Sequence, residues 1–185
     1  MLHIRAIAPS DADTIARLHA ISWRVSYRGM LLDSYLDGPI DEERLTLWHQ
    51  RLGESTSGSL GFLALSDTTP IGFTFAYVAH DAQWGTLLDN LHVMPEARGK
   101  GIGTQLLKVL TNSLLNQGDE AGIYLWVFEA NHRTRKFYER LGAKAIERTV
   151  IDAPGGGKFA EWLYAWESVV HLNAAVAGRR KPHKC

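Results

Sequence analysis

The chain has 185 residues, 45% of them hydrophobic, and balances 20 lysines and arginines against 20 aspartates and glutamates. That length and apolar content suit one domain with a full core. The zero net charge argues against general nucleic-acid binding, which draws on surplus positive charge. The lone Cys185 excludes an internal disulfide framework and cysteine-rich zinc sites, and no apolar run reads as a signal peptide or a bilayer span, so a cytoplasmic protein free of membrane is expected.

In chain order, Leu2 to Ala6 reads as a short strand. Ser10 with Asp13 resembles a capping box that opens a helix carrying Ile15, Leu18, His19, Ser22 and Trp23 at helical spacing. Tyr27 to Pro39 reads as a loop with a helical turn, and Asp41 to Leu52 as a second helix with Leu45, Trp48 and Leu52 on one face. Ser55 to Gly58 is expected as loop, and residues 60–65 and 71–78 as two strands of a hairpin. A turn over His80 to Gly85 leads to a strand at Leu87 to Val93, a helix over 101–117 and an apolar strand over Gly122 to Phe128. A helix over Asn131 to Leu141 closes at Gly142, and two final strands at 144–152 and 159–166 flank the turn Ala153-Pro154-Gly155-Gly156-Gly157. A basic, flexible tail is expected after that, assigned to 171–185 with its charges beyond Gly178. The order predicts a mixed α/β (α+β) sheet of about seven strands with helices on both faces. Within it, strands 87–93 and 122–128 should run parallel across a βαβ crossover.

Arg98-Gly99-Lys100-Gly101-Ile102-Gly103-Thr104 lies where a strand hands over to an amphipathic helix. Glycines there bare backbone N–H groups at a helix N-terminus, and the dipole with Arg98 and Lys100 makes a seat for phosphates. A magnesium P-loop needs Ser or Thr after its lysine, and Gly101 stands there instead. A dinucleotide fingerprint needs Gly-x-Gly-x-x-Gly, whereas this loop is Gly-x-Gly-x-Gly and sits in mid-chain. The second motif is Asn131-His132-Arg133-Thr134-Arg135-Lys136-Phe137-Tyr138-Glu139-Arg140-Leu141-Gly142. Asn131 is a good N-cap, Phe137 and Leu141 share a face, and Tyr138 lies about 100° round from Phe137, on the flank of the core face.

The Arg-x-x-Gly-x-Gly loop resembles the acyl-CoA pyrophosphate loop of the GNAT N-acyltransferase superfamily. The second motif resembles that family's Asn-x-x-Ala-x-x-Phe-Tyr-Glu-x-Leu-Gly-Phe signature. Both occur in the family's order across residues 85–145. Thr134 and Arg135 depart from the usual small and aliphatic residues, and Leu87 stands where many relatives carry a glutamate as general base.

The resemblance implies a GNAT-type domain over 1–170, acetyl-CoA as co-substrate without a metal, and transfer of an acyl group to a primary amine of a small molecule or peptide by direct attack. It implies that Arg98, Gly99, Lys100, Gly101, Ile102, Gly103 and Thr104 bind the pyrophosphate, and that Leu91, His92 and Val93 pair with the pantetheine arm in a gap between the two parallel strands. Asn131 would hold the arm near the second helix, and Tyr138 would serve as acid for the departing thiolate. Asp89 is a candidate base, because a regular strand places it with Leu87, Leu91 and Val93; His92, on the opposite face, and His80 or Asp81 through water are others. Trp23, Tyr27, Tyr35, Trp48, Trp84, Trp162 and Trp166 are available to an acceptor pocket or to the core. A non-catalytic acyl-CoA-binding or sensing module of the same fold is the second reading, supported by Leu87. An unrelated nucleotide-binding enzyme is the third. Dimers are common among relatives, so a homodimer is admitted.

Overall fold

The computed structural model describes residues 1–53 and 58–178. The loop expected at Ser55 to Gly58 thus lies mostly outside the described residues, as do the charges of the tail. A seven-stranded sheet runs in the order β1-β2-β3-β4-β5-β7-β6. Its strands are β1 Leu2–Ala6, β2 Ser59–Ser66, β3 Thr69–Asp81, β4 Gly85–Val93, β5 Ile123–Phe128, β6 Lys144–Asp152 and β7 Lys158–Trp166. β4 and β5 are parallel and every other pairing is antiparallel.

The helices are α1 Ala12–Tyr27, α2 Asp33–Leu36, α3 Ile40–Gly53, α4 Ile102–Asn116, α5 His132–Glu139 and α6 Val169–Ala177. On one face α4, with Ile102, Leu106, Leu107, Leu110 and Leu114 buried, packs on Leu88, Leu125 and Tyr164. On the other, Ile15 and Leu18 of α1 and Trp48 and Leu52 of α3 enclose Leu63, Phe73 and Phe75. Burial of these apolar stripes is the main force holding the layers together.

Four expectations need correction. The turn before α1 is held by Asp11, whose carboxylate accepts the Ala8 N–H at 2.8 Å and pairs with Arg5, so Ser10 does not cap it. Leu45 is 41% exposed rather than sharing the buried face of Trp48 and Leu52. The tail assigned from 171 begins too early: α6 buries Val169, Leu172 and Val176 in the core, and the Ser168 side chain caps it by accepting the His171 N–H.

The fourth correction shapes the site. In the β3–β4 ladder Phe75 faces Asn90 and Ala76 faces Leu88, which leaves Asp89 as an extra residue. This bulge breaks the alternation assumed for the strand. Leu88, Leu91 and Val93 all join the α4 core, while Leu87 packs beside Tyr124 and Leu163 on the opposite face.

Candidate active site

β4 and β5 pair only at Thr86–Ile123 and Leu87–Tyr124. Beyond those positions the strands part, and the opening leads into a cleft of about 710 Å³. β4 contributes Leu88, Asp89, Leu91, His92 and Val93 to its walls, β5 contributes Leu125, Trp126 and Val127, and the N-terminal turns of α4 and α5 close it. The expected gap between the parallel strands is therefore present.

At the mouth, Gly99 and Gly101 both adopt φ +79°, a left-handed conformation that other residues enter only with strain, and a Cβ on either would point into open space. Gly103 differs from these two. It is helical, and an added Cβ would meet Phe137, Val93 and Leu91 at 3.7–3.9 Å, an ordinary contact. Of the loop residues named from the sequence, Arg98, Gly99, Gly101, Ile102, Gly103 and Thr104 line the cleft. Lys100 is exposed and does not line it.

Arg98 turns inward. Its Nε donates to the Val93 carbonyl at 3.0 Å and an Nη donates to Ser26 Oγ at 2.9 Å. Among the described residues no carboxylate forms a salt bridge with it; burial together with Arg133 lowers its pKa, against a smaller opposing effect of Glu96. A half-buried guanidinium with no salt-bridge partner among the described residues, in a cleft that a second arginine, Arg133, also lines, favours an anionic guest. Asn131 Oδ1 caps α5 by accepting the Thr134 N–H at 3.2 Å, so its Nδ2 is what remains to donate into the cleft.

Tyr138 also lines the cleft, buried edge-on against Trp166 at 5.9 Å, and burial pushes its phenol well above the ordinary range. Its hydroxyl makes no hydrogen bond among the described residues. His92 Nδ1 lies 2.9 Å from Ser22 Oγ, and burial, aided by Arg98 and Arg44, drops its pKa to about 3. Asp89 lines the cleft too, with its Oδ2 held by an Arg51 Nη of α3 at 2.6 Å. His80 bonds Tyr124 at 2.7 Å and Asp81 accepts the Gln83 and Trp84 N–H groups; neither lines the cleft.

The aromatic residues separate cleanly. Trp48, Tyr35 and Trp166 are core. Trp162 donates to Glu129, Trp23 lies under Arg44, and Trp84 packs on the Tyr124 cluster. Tyr27 alone of that set reaches the cleft, where Trp126 joins it at 37% exposure. Sequence reasoning missed the Ser22–Ser26 pair that holds Arg98; the four-residue spacing of two small hydroxyls on α1 was the available signal.

Known proteins resemble this chain in sequence and in fold. The sequence profile of the Acetyltransferase (GNAT) family matches residues 15–143. A "probable N-acetyltransferase" of Mycobacterium tuberculosis is 32% identical over 159 residues, covering 84% of this chain and 87% of its own. The thialysine N-ε-acetyltransferase of Mus musculus is 32% identical over 78 residues, covering 41% of this chain and 45% of its own. The PaiA N-acetyltransferase of Thermoplasma acidophilum, crystallised with coenzyme A, has the same fold, with a TM-score of 0.72 at 24% identity over 90% of this chain and 99% of its own.

Proposed function

The chain belongs to the GNAT acetyltransferase family, and from that premise we propose that it transfers an acetyl group from acetyl-CoA to a primary amine of a small molecule or peptide by direct attack. One observation carries the reading. The parted strands β4 and β5 open over a turn whose bare amides and Arg98, which has no salt-bridge partner among the described residues, fit a diphosphate, and the cleft is lined by a tyrosine hydroxyl that likewise has no hydrogen-bond partner there.

Acetyl-CoA, when bound, supplies an activated acyl group as a thioester. In our reading the Gly99–Thr104 backbone and Arg98 hold its diphosphate. Backbone groups of Leu91 and His92 on the side away from β3 pair with the pantetheine arm, Val93 taking less part than expected because its carbonyl already accepts from Arg98, and the Asn131 Nδ2 donates to it. A β4 N–H stabilises the oxyanion of the tetrahedral intermediate.

Tyr138 points its hydroxyl to the leaving sulfur. Even an ordinary tyrosine, with a pKa of about 10, protonates a thiolate of pKa about 8.5 uphill by about 2 kcal/mol. Burial widens that gap. The hydroxyl therefore acts chiefly as a hydrogen-bond donor, and passes its proton on as it receives one from the attacking nitrogen. For Asp89 we assign a positioning role, since Arg51 already occupies its carboxylate and ties the β4 bulge to α3.

Calorimetry with acetyl-CoA, followed by thiol release on an aliphatic amine panel, tests the reading. Micromolar binding with amine-dependent release supports it. Binding without turnover supports instead the sensing module that Leu87, lying where relatives have a carboxylate, favours. Protection by ATP or NAD but not by CoA overturns both.

A further inference from the structure

Resting on the amine-transfer reading, this inference concerns the group that receives the acceptor's proton. Glu161 is the single charge in the run Phe159-Ala160-Glu161-Trp162-Leu163-Tyr164-Ala165-Trp166. Among the described carboxylates that are not fully exposed, Asp11, Asp81, Asp89, Asp119 and Glu129 each bond an arginine, a hydroxyl or a backbone N–H. Glu161 is half-buried and makes no side-chain hydrogen bond or ion pair among the described residues. A carboxylate removed from water without a partner costs stability, and no cation among the described residues offsets it.

The position of Glu161 says what the partner would be. Tyr164 and Trp166 of β7 belong to the α4 core, so Glu161 and Leu163 lie on the other face. Glu161 is opposite Phe128 of β5, and Phe128 meets the ring of Tyr27 edge-on at 5.2 Å. The Glu161 charge acts on the Tyr27 phenol, raised to about 12 chiefly by burial, and Tyr27 acts in turn on Tyr138. The Tyr27 and Tyr138 hydroxyls have no hydrogen-bond partner among the described residues, and both side chains line the cleft. The polar series Glu161, Tyr27, Tyr138 thus leads from the α1 face, where Glu161 stands outside the cleft's lining, into the cleft that both tyrosines line.

We propose that the acceptor amine docks as its ammonium between the Glu161 carboxylate and the Tyr27 hydroxyl, and that Glu161 is the base that takes its proton. The nitrogen lone pair so freed forms the C–N bond to the thioester carbon. The C–S bond breaks as the tetrahedral intermediate collapses, and the thiolate receives the second nitrogen proton through Tyr138. The proton on Glu161 leaves to solvent, one per turnover. Burial holds the Glu161 carboxyl above its ordinary range, which suits a base, whereas Asp89 is occupied by Arg51. The titratable groups that share its surroundings are Tyr27 from α1 and exposed Glu147, which pairs with Leu163 and so faces the same way from β6.

The test uses the full chain with Glu161→Gln and Glu161→Asp, and thialysine, lysine and butylamine as acceptors. Glu161→Gln is expected to lower kcat/KM for the amine about 100-fold near pH 7, with the gap closing toward pH 10 as the amine loses its proton unaided. Acetyl-CoA affinity should hold, and amine binding to the protein–CoA complex should weaken about tenfold. Glu161→Asp should retain the acidic limb at an intermediate rate, and decides the matter if the Gln variant does not fold. Wild-type turnover matched by Glu161→Gln in rate and pH profile overturns the assignment and leaves amine transfer standing. A wild type that acetylates no amine overturns amine transfer first, and this assignment with it.

Discussion

Arg51 of α3 and Asp89 of β4 form an ion pair of 2.6 Å at the one point where β4 bulges, and the same guanidinium donates to Asn90 at 3.0 Å. The pair joins the helix layer to the irregular stretch of strand from which the cleft opens. Asp89→Asn should therefore act mainly on structure. It leaves a partly buried arginine without its charge partner, and should cost about 1–2 kcal/mol of stability. Urea midpoints give the cost, and the acidic limb of the pH–rate profile should keep its wild-type position. A limb that disappears in Asp89→Asn would restore Asp89 as the base.

The glycines of the phosphate loop should separate into two kinds. Gly101 holds φ +79°, so Gly101→Ala brings left-handed strain of about 1–2 kcal/mol and lowers Tm. Gly103 is helical with room for a methyl at 3.7 Å from Phe137, so Gly103→Ala should raise stability by about 0.5–1 kcal/mol. That methyl enters the cleft wall, and acetyl-CoA affinity should fall about tenfold although the protein is more stable. Thermal unfolding paired with calorimetry reads both quantities, and a Gly103→Ala variant that binds acetyl-CoA normally would remove Gly103 from the cofactor seat.

Tyr138→Phe removes a hydroxyl that nothing among the described residues holds, so stability should change little. The loss should appear in kcat, by about 10²-fold, at the weak end of acid catalysis because a thiolate leaves tolerably unaided. Acetyl-CoA affinity measured by calorimetry should be unchanged. An unaltered kcat would exclude Tyr138 from the chemistry.

Much of this was legible in the sequence because its signals are local. The Leu and Ile spacing of α4, the strand–glycine–helix order and the Asn131 cap each depend on residues within a few positions of one another. The Asp89 bulge was not legible, since register is decided by the neighbouring strand, and Phe75 facing Asn90 leaves no mark on β4 itself. Nor was the inward turn of Arg98, which needs Ser26 from a helix 72 residues earlier. α6 was legible and overlooked: Ser168 followed by Val169, Leu172 and Val176 is a capped apolar stripe, short enough to be taken for tail. Glu161 carried a mild signal as the lone charge of the apolar run 159–166, but only the packing reveals that nothing among the described residues pairs with it.

Two buried histidines give the fold a pH dependence of definite sign. His19 accepts the Trp48 indole N–H at its Nδ1, and burial holds its pKa well below the ordinary 6.5; His92 beside it is lowered to about 3. Both therefore stay neutral in the folded state while the unfolded chain takes up protons below about pH 6.5. The stability they confer is complete above pH 6.5 and is lost as pH falls toward their folded values. For each of them the loss between pH 7 and 5 should be about 2 kcal/mol, since both folded values lie below that window. The depressed carboxylates, such as Glu129 held near 2 by Arg148, act only below their ordinary range and leave this window to the histidines. Denaturant midpoints at pH 7, 6 and 5 should fall steadily for the wild type and less steeply for His19→Gln, whose amide oxygen can still accept from Trp48. Equal slopes in the two proteins would place the acid sensitivity elsewhere.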